Sequence, residues 1–336
     1  MKNERTAKDI KAEALRLGFA VCGITRAEAV DDETARQFRQ WLAEGNHAGM
    51  HYMENHLEKR LDPRLLLEGA KTIVCVALNY SPARRLPEGE YQLADYALGQ
   101  DYHDVMRQKL HQLAAAILTA STSQAHTDIS LQKERTQEDA PSDKTPPYRA
   151  FADSAPILER YWAVKAGLGW IGRNHQLIIP STTMGGSRFF LGELILCEEM
   201  DEYDTPMPNR CGNCHQCIDA CPTGALTTHS MFAAEKCLSY QTIENRGNLS
   251  PQAKKSMGDT IYGCDRCQQV CPWNRFSRPT VEPLLQPRDE LLKMTKEKWL
   301  QLTPEEYRVL FKGSAVKRAK YEGLMRNIRA VSQNED

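Results

Sequence analysis

The sequence predicts an α+β fold in two unequal parts with a short tail. Through residues 1–200, helix-spaced and strand-like runs alternate, the pattern of one mixed helix–sheet domain of α/β or α+β type. A cysteine-dense module then occupies 201–285. Beyond it, Pro279, Pro283 and Pro287 punctuate a linker into a short basic helical tail over 286–336.

The elements follow in order. Residues 4–18 carry apolar positions at helical spacing, and VCGI after them reads as a short strand. ETARQFRQWLAEG is an amphipathic helix stopped at Gly45, since glycine tolerates the left-handed turn that ends a helix. KTIVCVALNY (71–80) is an unbroken apolar run bounded by turn residues, which predicts a strand buried on both faces. A long helix is expected from Val105 to Ala120. The polar stretch 121–147, rich in Ser, Thr, Gln, Asp and Pro, reads as an exposed, flexible insertion. Ile157–Ala166 is expected as a helix, with His175–Ile179 and Arg188–Cys197 as strands.

The chemistry concentrates in the cysteines. Cys211, Cys214, Cys217 and Cys221-Pro222 are answered by Cys237, then Cys264, Cys267 and Cys271-Pro272. Three thiols at two-residue gaps wrap three corners of a cubane, and the fourth, before proline, ligates the other cluster in two-cluster ferredoxins. This predicts one [4Fe–4S] cluster on Cys211, Cys214, Cys217 and Cys271. A second falls to Cys221, Cys237, Cys264 and Cys267. Structural zinc would favour four thiols per separate knuckle, and a disulfide scaffold would not explain eight interleaved cysteines with two Cys-Pro endings. One-electron transfer is therefore expected. Cys22, Cys75 and Cys197 lie in apolar strand-like runs and read as small buried hydrophobes.

With 336 residues and a net charge of −1, the chain is long enough for two or three domains, and bulk charge neither requires nor excludes a nucleic-acid partner. The N-terminus is charged and amphipathic, without the apolar core of a signal peptide, and no apolar run approaches the ~18 residues of a membrane span. Reduced thiols and oxygen-sensitive clusters point to a cytoplasmic protein. Gly167-Leu-Gly169-Trp-Ile-Gly172 satisfies the dinucleotide pattern G-x-G-x-x-G, but its context is reversed, with a helix before it and a strand after. A helix C-cap with tight backbone packing, or close approach to some other flat ligand, fits better.

The combination of EKRLDPR (58–64), GQDYHDVMRQKL (99–110), FADSAPILERYWAVKAGLGWIGRN (151–174), LGELIL (191–196), CLSYQTIENRG (237–247) and YGCDRCQQVCPWN (262–274) resembles epoxyqueuosine reductases, over roughly residues 5–330. The resemblance implies a cobalamin-dependent enzyme whose first domain binds the corrin. Such enzymes reduce epoxyqueuosine to queuosine at the wobble position of tRNA, the last step of queuosine biosynthesis. Electrons from an external low-potential donor would pass through two clusters to cobalamin. Asp153 matches the family's proton donor; read on its own it is equally an N-cap before a proline-initiated helix, a role Ser154 could also fill. A buried carboxyl with a raised pKa would suit the donor role.

The resemblance further implies cobalamin contacts at Arg60, His103, Ser239 and Asp265, besides Asp153. Each has a plainer reading: a solvated arginine, a helix-start histidine, and turn-capping residues beside Cys237 and Cys264. His103 is not expected to ligate cobalt, because the D-x-H-x-x-G signature of histidine-ligating cobalamin domains is absent. For tRNA, Arg246 matches a family position near the substrate. The stretch Tyr307–Ala330 carries seven basic residues, Lys317 and Arg318 among them, against one acid, Glu322. Many family members continue into HEAT-type repeats; here docking is expected to rest more on this basic tail. A monomer is expected. The alternatives are a cobalamin-dependent reductive dehalogenase, usually exported by a twin-arginine signal that is absent here, and a ferredoxin-type electron-transfer subunit. The latter would leave the first domain and FADSAP without a role.

Overall fold

The computed structural model describes residues 6–119, 148–181, 183–228 and 231–334. The first domain is built from α1 (Ala7–Arg16), β1 (Val21–Arg26), α2 (Asp32–Ala43), α3 (Leu57–Leu61), β2 (Thr72–Asn79), β3 (Gln92–Leu93), α4 (Tyr102–Thr119), β4 (Tyr148–Phe151), α5 (Glu159–Lys165), β5 (Trp170–Ile171), β6 (Leu177–Ile178) and β7 (Phe189–Leu196). The module and tail add α6 (Gln216–Asp219), α7 (Leu238–Ile243), α8 (Pro251–Ser256), β8 (Thr260–Tyr262), α9 (Arg266–Gln269), α10 (Asp289–Leu292), α11 (Lys296–Leu300), α12 (Pro304–Leu310) and α13 (Lys320–Ser332). No described helix is long and apolar enough to cross a membrane.

Local signals explain the helix ends. Thr6 and Asp9 close a reciprocal capping box on α1, and Asp31 accepts the Thr34 amide at the start of α2. The main sheet has the order β1-β2-β7-β4 and every pairing is antiparallel, which makes the domain α+β. β2 is buried along its whole length, yet not because the sheet is parallel. Its residues divide by the two-residue period of a strand. Val74, Val76 and Leu78 enter a core with α1 and α4, while Ile73, Cys75 and Ala77 enter another with α5.

Most expected elements appear, with shifted ends. The long helix starts three residues earlier, at Tyr102, and the expected strand 175–179 shortens to β6. β4 was not anticipated, and it matters: pairing with β7 over Tyr148–Phe151 delivers Asp153 two residues later. The expected insertion 121–147 lies outside the described residues.

The tail is no loose appendage. Residues from Leu291 to Val331 share one core with Leu86–Leu98 and with Leu238–Tyr262 of the cysteine module. β3 pairs parallel with β8, and the Asp95 amide donates to Asp265 Oδ2 at 2.6 Å. Module and first domain are further joined by Trp170 against Trp273 (4.9 Å, edge-on) and by Asn274, whose Oδ1 accepts the Ser187 amide at 2.7 Å. In the G-x-G-x-x-G segment, Gly167 sits at φ +73 just beyond α5, and a Cβ on Gly169 would lie 2.0 Å from the Ile178 carbonyl oxygen. The glycines therefore serve a helix end and a tight β5–β6 hairpin.

Candidate active site and cysteine quartets

None of the eleven cysteines is in a disulfide. The two one-turn helices α6 and α9 repeat the same local geometry: the turn before each Cys-Pro is closed by Cys221 N–H to the Ile218 carbonyl and by Cys271 N–H to the Gln268 carbonyl. Cys211, Cys214, Cys217 and Cys271 line one cavity of about 250 Å³, with Arg173, Asn174 and Trp273 on its wall. The other four also associate. Burial, then the charges of Cys264 and Cys237, pushes Cys267 up; Cys264 is pushed up to about 11 by burial, with Cys237 again contributing. Cys237 is raised by burial, with Cys221 among its neighbours. At Cys221 burial works against the thiolate, yet the amides of Leu226, Thr223 and Ala225 hold its pKa below the ordinary thiol value. Four thiols around a cavity of that size, and four more within electrostatic reach of one another, are a donor set suited to cubane clusters.

The acidic cleft assembles from four separate segments. Asp153 is exposed, at 63% of its side chain, and adopts φ +51, a left-handed conformation costly for a non-glycine residue. It is not an N-cap: α5 begins after Leu158, which makes no side-chain cap, so the capping reading of Asp153 and Ser154 gives way. The Tyr102 hydroxyl donates to Asp153 Oδ2, and His103 Nε2 lies 3.8 Å from the same oxygen. Asp101 Oδ1 holds His103 Nδ1 at 2.7 Å. Burial opposes a charged His103 ring, but the Asp101 hydrogen bond and the charges of Asp101, Asp153 and Glu159 hold its pKa above the usual value.

Beneath Asp153 lies a second layer of charge. Its amide donates to Glu159 Oε1 at 2.5 Å. Glu159 touches Glu193, which is wholly buried in β7, and neither Glu193 oxygen has a partner other than that carboxyl. Burial, then the charge of Asp153, pushes Glu159 up to about 8; burial, then Glu159, pushes Glu193 well above the carboxylate range. Arg60 is 7% exposed, so the solvated-charge reading fails. Its Nη2 donates to the Tyr52 carbonyl at 3.3 Å, its Nε has no partner, and its charge faces Asp153 and Glu159.

The remaining candidates lie elsewhere. Ser239 contributes its amide, directed at the Cys237 sulfur. Asp265 belongs to a charged group with the buried Asp95 and Arg188 and the exposed Arg85, and burial, then Asp95, pushes it up to about 6. Aromatic rings connect this side to the cleft: Tyr102 stacks on Phe190 (4.2 Å), Phe190 meets Tyr80 (4.6 Å), and the Tyr80 hydroxyl donates to Gln268 Oε1 at 3.1 Å, beside Cys267. Arg246 donates to the carbonyls of Ile243 and Arg318, and Arg318 forks onto Glu244 at 2.8 and 2.9 Å while covering the Tyr52 ring. Arg326 is spent on the carbonyls of Gln241, Asn245 and Gly247. Lys317 is exposed.

Sequence reading missed Tyr52, Tyr102, Glu159 and Glu193. Glu193 did carry a signal: one acid inside the apolar run FFLGELILC is expensive to bury, and such a cost points to a use.

Comparison with known proteins gives two family models on this chain. The 4Fe–4S double cluster binding domain matches residues 210–274, and the epoxyqueuosine reductase QueG domain (DUF1730) matches 60–154. The module therefore carries iron–sulfur clusters. A protein of Cellulophaga algicola described as epoxyqueuosine reductase is 42% identical over 97% of this chain and 97% of its own length. Among solved structures, an epoxyqueuosine reductase with a tRNA-Tyr epoxyqueuosine-modified stem loop is 27% identical with a TM-score of 0.80, covering 97% of this chain and 80% of the other. The Bacillus subtilis enzyme, solved with its catalytic aspartate loop swung out of the active site, is likewise 27% identical, with a TM-score of 0.80 over 97% of this chain and 81% of its own.

Proposed function

The chain belongs to the epoxyqueuosine reductase family, and we propose that it reduces epoxyqueuosine in tRNA to queuosine with Asp153 as proton donor. The observation that carries this reading is the convergence of Tyr102, His103 and the charge of Arg60 on the exposed Asp153, in a chain whose neighbouring module lines one cavity with four thiols and keeps four more within electrostatic reach of one another. In this reading Cys211, Cys214, Cys217 and Cys271 hold one [4Fe–4S] cluster, and Cys221, Cys237, Cys264 and Cys267 hold the other.

Cobalamin is the proposed second cofactor. A carboxamide-bearing ring is supported by Arg60, which is buried with an Nε that no described protein atom satisfies. Arg60, His103, Ser239 and Asp265 are the residues proposed to hold it. When bound, the corrin and the clusters supply low-potential electrons from an external donor for opening the epoxide.

Converting an epoxide to an alkene consumes two electrons and two protons and releases water. The departing oxygen must be protonated, and Asp153 stands at the cleft mouth with its Oδ2 held by the Tyr102 hydroxyl. His103, kept protonation-ready by Asp101, faces the same oxygen and is placed to return a proton to it. The RNA is proposed to enter along Tyr52, an exposed ring beneath Arg318 that is electrostatically in reach of Asp153, with Arg246 and Lys317 nearby. The Asp153 turn is proposed to move, as the corresponding loop does in the Bacillus subtilis enzyme. The reaction is assigned to the cytoplasm.

The test is incubation of the reconstituted protein with epoxyqueuosine-containing tRNA and a low-potential reductant, followed by nucleoside analysis. Queuosine is expected from the wild type. Asp153→Asn is expected to keep both clusters and to lose at least about 100-fold in rate; unchanged turnover would remove Asp153 from the mechanism.

A further inference from the structure

Glu159 and Glu193 are not used by that chemistry, yet the fold spends two buried carboxyls on them. Glu193 occupies a strand position otherwise filled by apolar residues, and its oxygens face only the carboxyl of Glu159. Two carboxyls in contact inside a protein cannot both ionise at low cost, so a proton between them is the stable arrangement. Glu159 in turn accepts the Asp153 amide at 2.5 Å. That amide belongs to the residue held at φ +51, a conformation that persists only where neighbours over-determine it.

We propose that the Glu159–Glu193 pair is a latch that holds the Asp153 turn in its left-handed conformation. The inference rests on the assignment of Asp153 as proton donor. Glu159 and Glu193 are positioning residues: they act through Asp153.

The charges around the pair set its response to pH. Arg60 from α3 and Arg160 from α5 favour an anion there. Asp153 opposes a second negative charge and His103 offsets it when protonated, while the nearby Tyr102 hydroxyl of α4 and Cys75 thiol of β2 are kept neutral by burial. Glu159 is pushed up to about 8 by burial and then by Asp153. Both carboxyls are raised, so alkaline pH is needed before the pair carries two anions, which repel and displace the acceptor of the Asp153 amide.

The experiment measures amide hydrogen exchange across residues 150–158 and single-turnover rate against pH, both on the reconstituted enzyme. Glu159→Ala is expected to raise exchange in this segment and lower turnover, each by roughly tenfold. Glu159→Gln, which retains an acceptor oxygen, is expected to restore wild-type exchange. Glu193→Gln cannot supply the second charge, so the alkaline loss of exchange protection in this segment is expected to disappear. Wild-type exchange in Glu159→Ala, or an unchanged alkaline loss of protection in Glu193→Gln, would overturn the latch. Full activity of Asp153→Asn would instead overturn the donor assignment, while the exchange data would still report on the turn.

Discussion

The cysteine module and the Asp153 cleft solve opposite problems. In the module, ligand positions are set by short backbone turns: two one-turn helices, each closed by an amide–carbonyl bond, space the thiols of α6 and α9. In the cleft, nothing local is sufficient. Asp153 is held by a hydroxyl from α4 and a carboxylate from α5, and that carboxylate is backed by an acid from β7. Local spacing fixes most of the first site in advance, with no spare thiol in either quartet. Long-range convergence makes the second adjustable, because any one segment can shift it.

If the comparison is right, single losses have different reach in the two regions. Cys267→Ser removes a ligand from a quartet that is complete only with four, so the largest effect is expected here. Iron content should fall by about half and epoxide reduction should be abolished, as measured by metal analysis and nucleoside assay. Retention of full iron in this variant would break the proposed division of the eight thiols.

The same contrast explains what the sequence disclosed. The runs Cys211-Cys214-Cys217 and Cys264-Cys267-Cys271 could be recognised by counting residues, because each gap within a run is about one turn, whereas Cys221 and Cys237 were placed by the two-cluster ferredoxin pattern. Asp153 was found through the resemblance; by local reasoning it was as good a cap as a catalyst, and only the distance to α5 excludes the cap. The antiparallel order of the sheet was not legible either. β2 has the apolar run of a strand from a parallel sheet because it is covered on both faces, by α1 and α4 and by α5. The tail read as a separate basic segment since its charges are conspicuous. Its apolar face, which completes a core with Leu238 and Tyr262, is distributed over four short helices and left no strong period. Charge counting also overstated its free surface, because Arg318 and Arg326 turn inward to Glu244 and to backbone carbonyls.

A smaller effect tests how the cleft is held. Tyr102→Phe removes one hydroxyl and leaves the stack on Phe190 intact. A hydrogen bond to a carboxylate contributes about 1–2 kcal/mol, so turnover should fall roughly tenfold with iron content unchanged. A loss as deep as that of Asp153→Asn would make Tyr102 a participant in proton transfer and not a support.

Smaller still is the stability cost of the buried acids. A carboxyl whose pKa is raised on folding binds its proton more tightly in the folded chain. Stability therefore falls as pH rises from the ordinary carboxyl range towards the raised value, about 8 for Glu159. Glu193→Met fills the same space without a charge. It is expected to raise the melting temperature at pH 7–8, by an amount corresponding to about 1–2 kcal/mol, and to flatten the pH dependence of stability. A melting temperature below wild type at pH 8 would show that the pair supports the fold as well as the turn.

The smallest expected effect separates charge that is offered from charge that is spent. Lys317 is exposed, whereas Arg326 donates to three carbonyls, one in α7 and two in the loop after it. Both lie in the same basic stretch, so a count of charges treats them alike. If Lys317 meets one RNA phosphate, Lys317→Ala should weaken tRNA binding a few-fold and reduce the slope of log affinity against log salt by about 0.7. Arg326→Ala should leave that slope unchanged and lower thermal stability instead, since it strands carbonyls that the guanidinium now satisfies. Titrations at several salt concentrations, paired with melting curves, distinguish the two. An equal change of slope in both variants would mean that the tail meets RNA by its summed charge, and that the inward contacts of Arg326 open when RNA arrives.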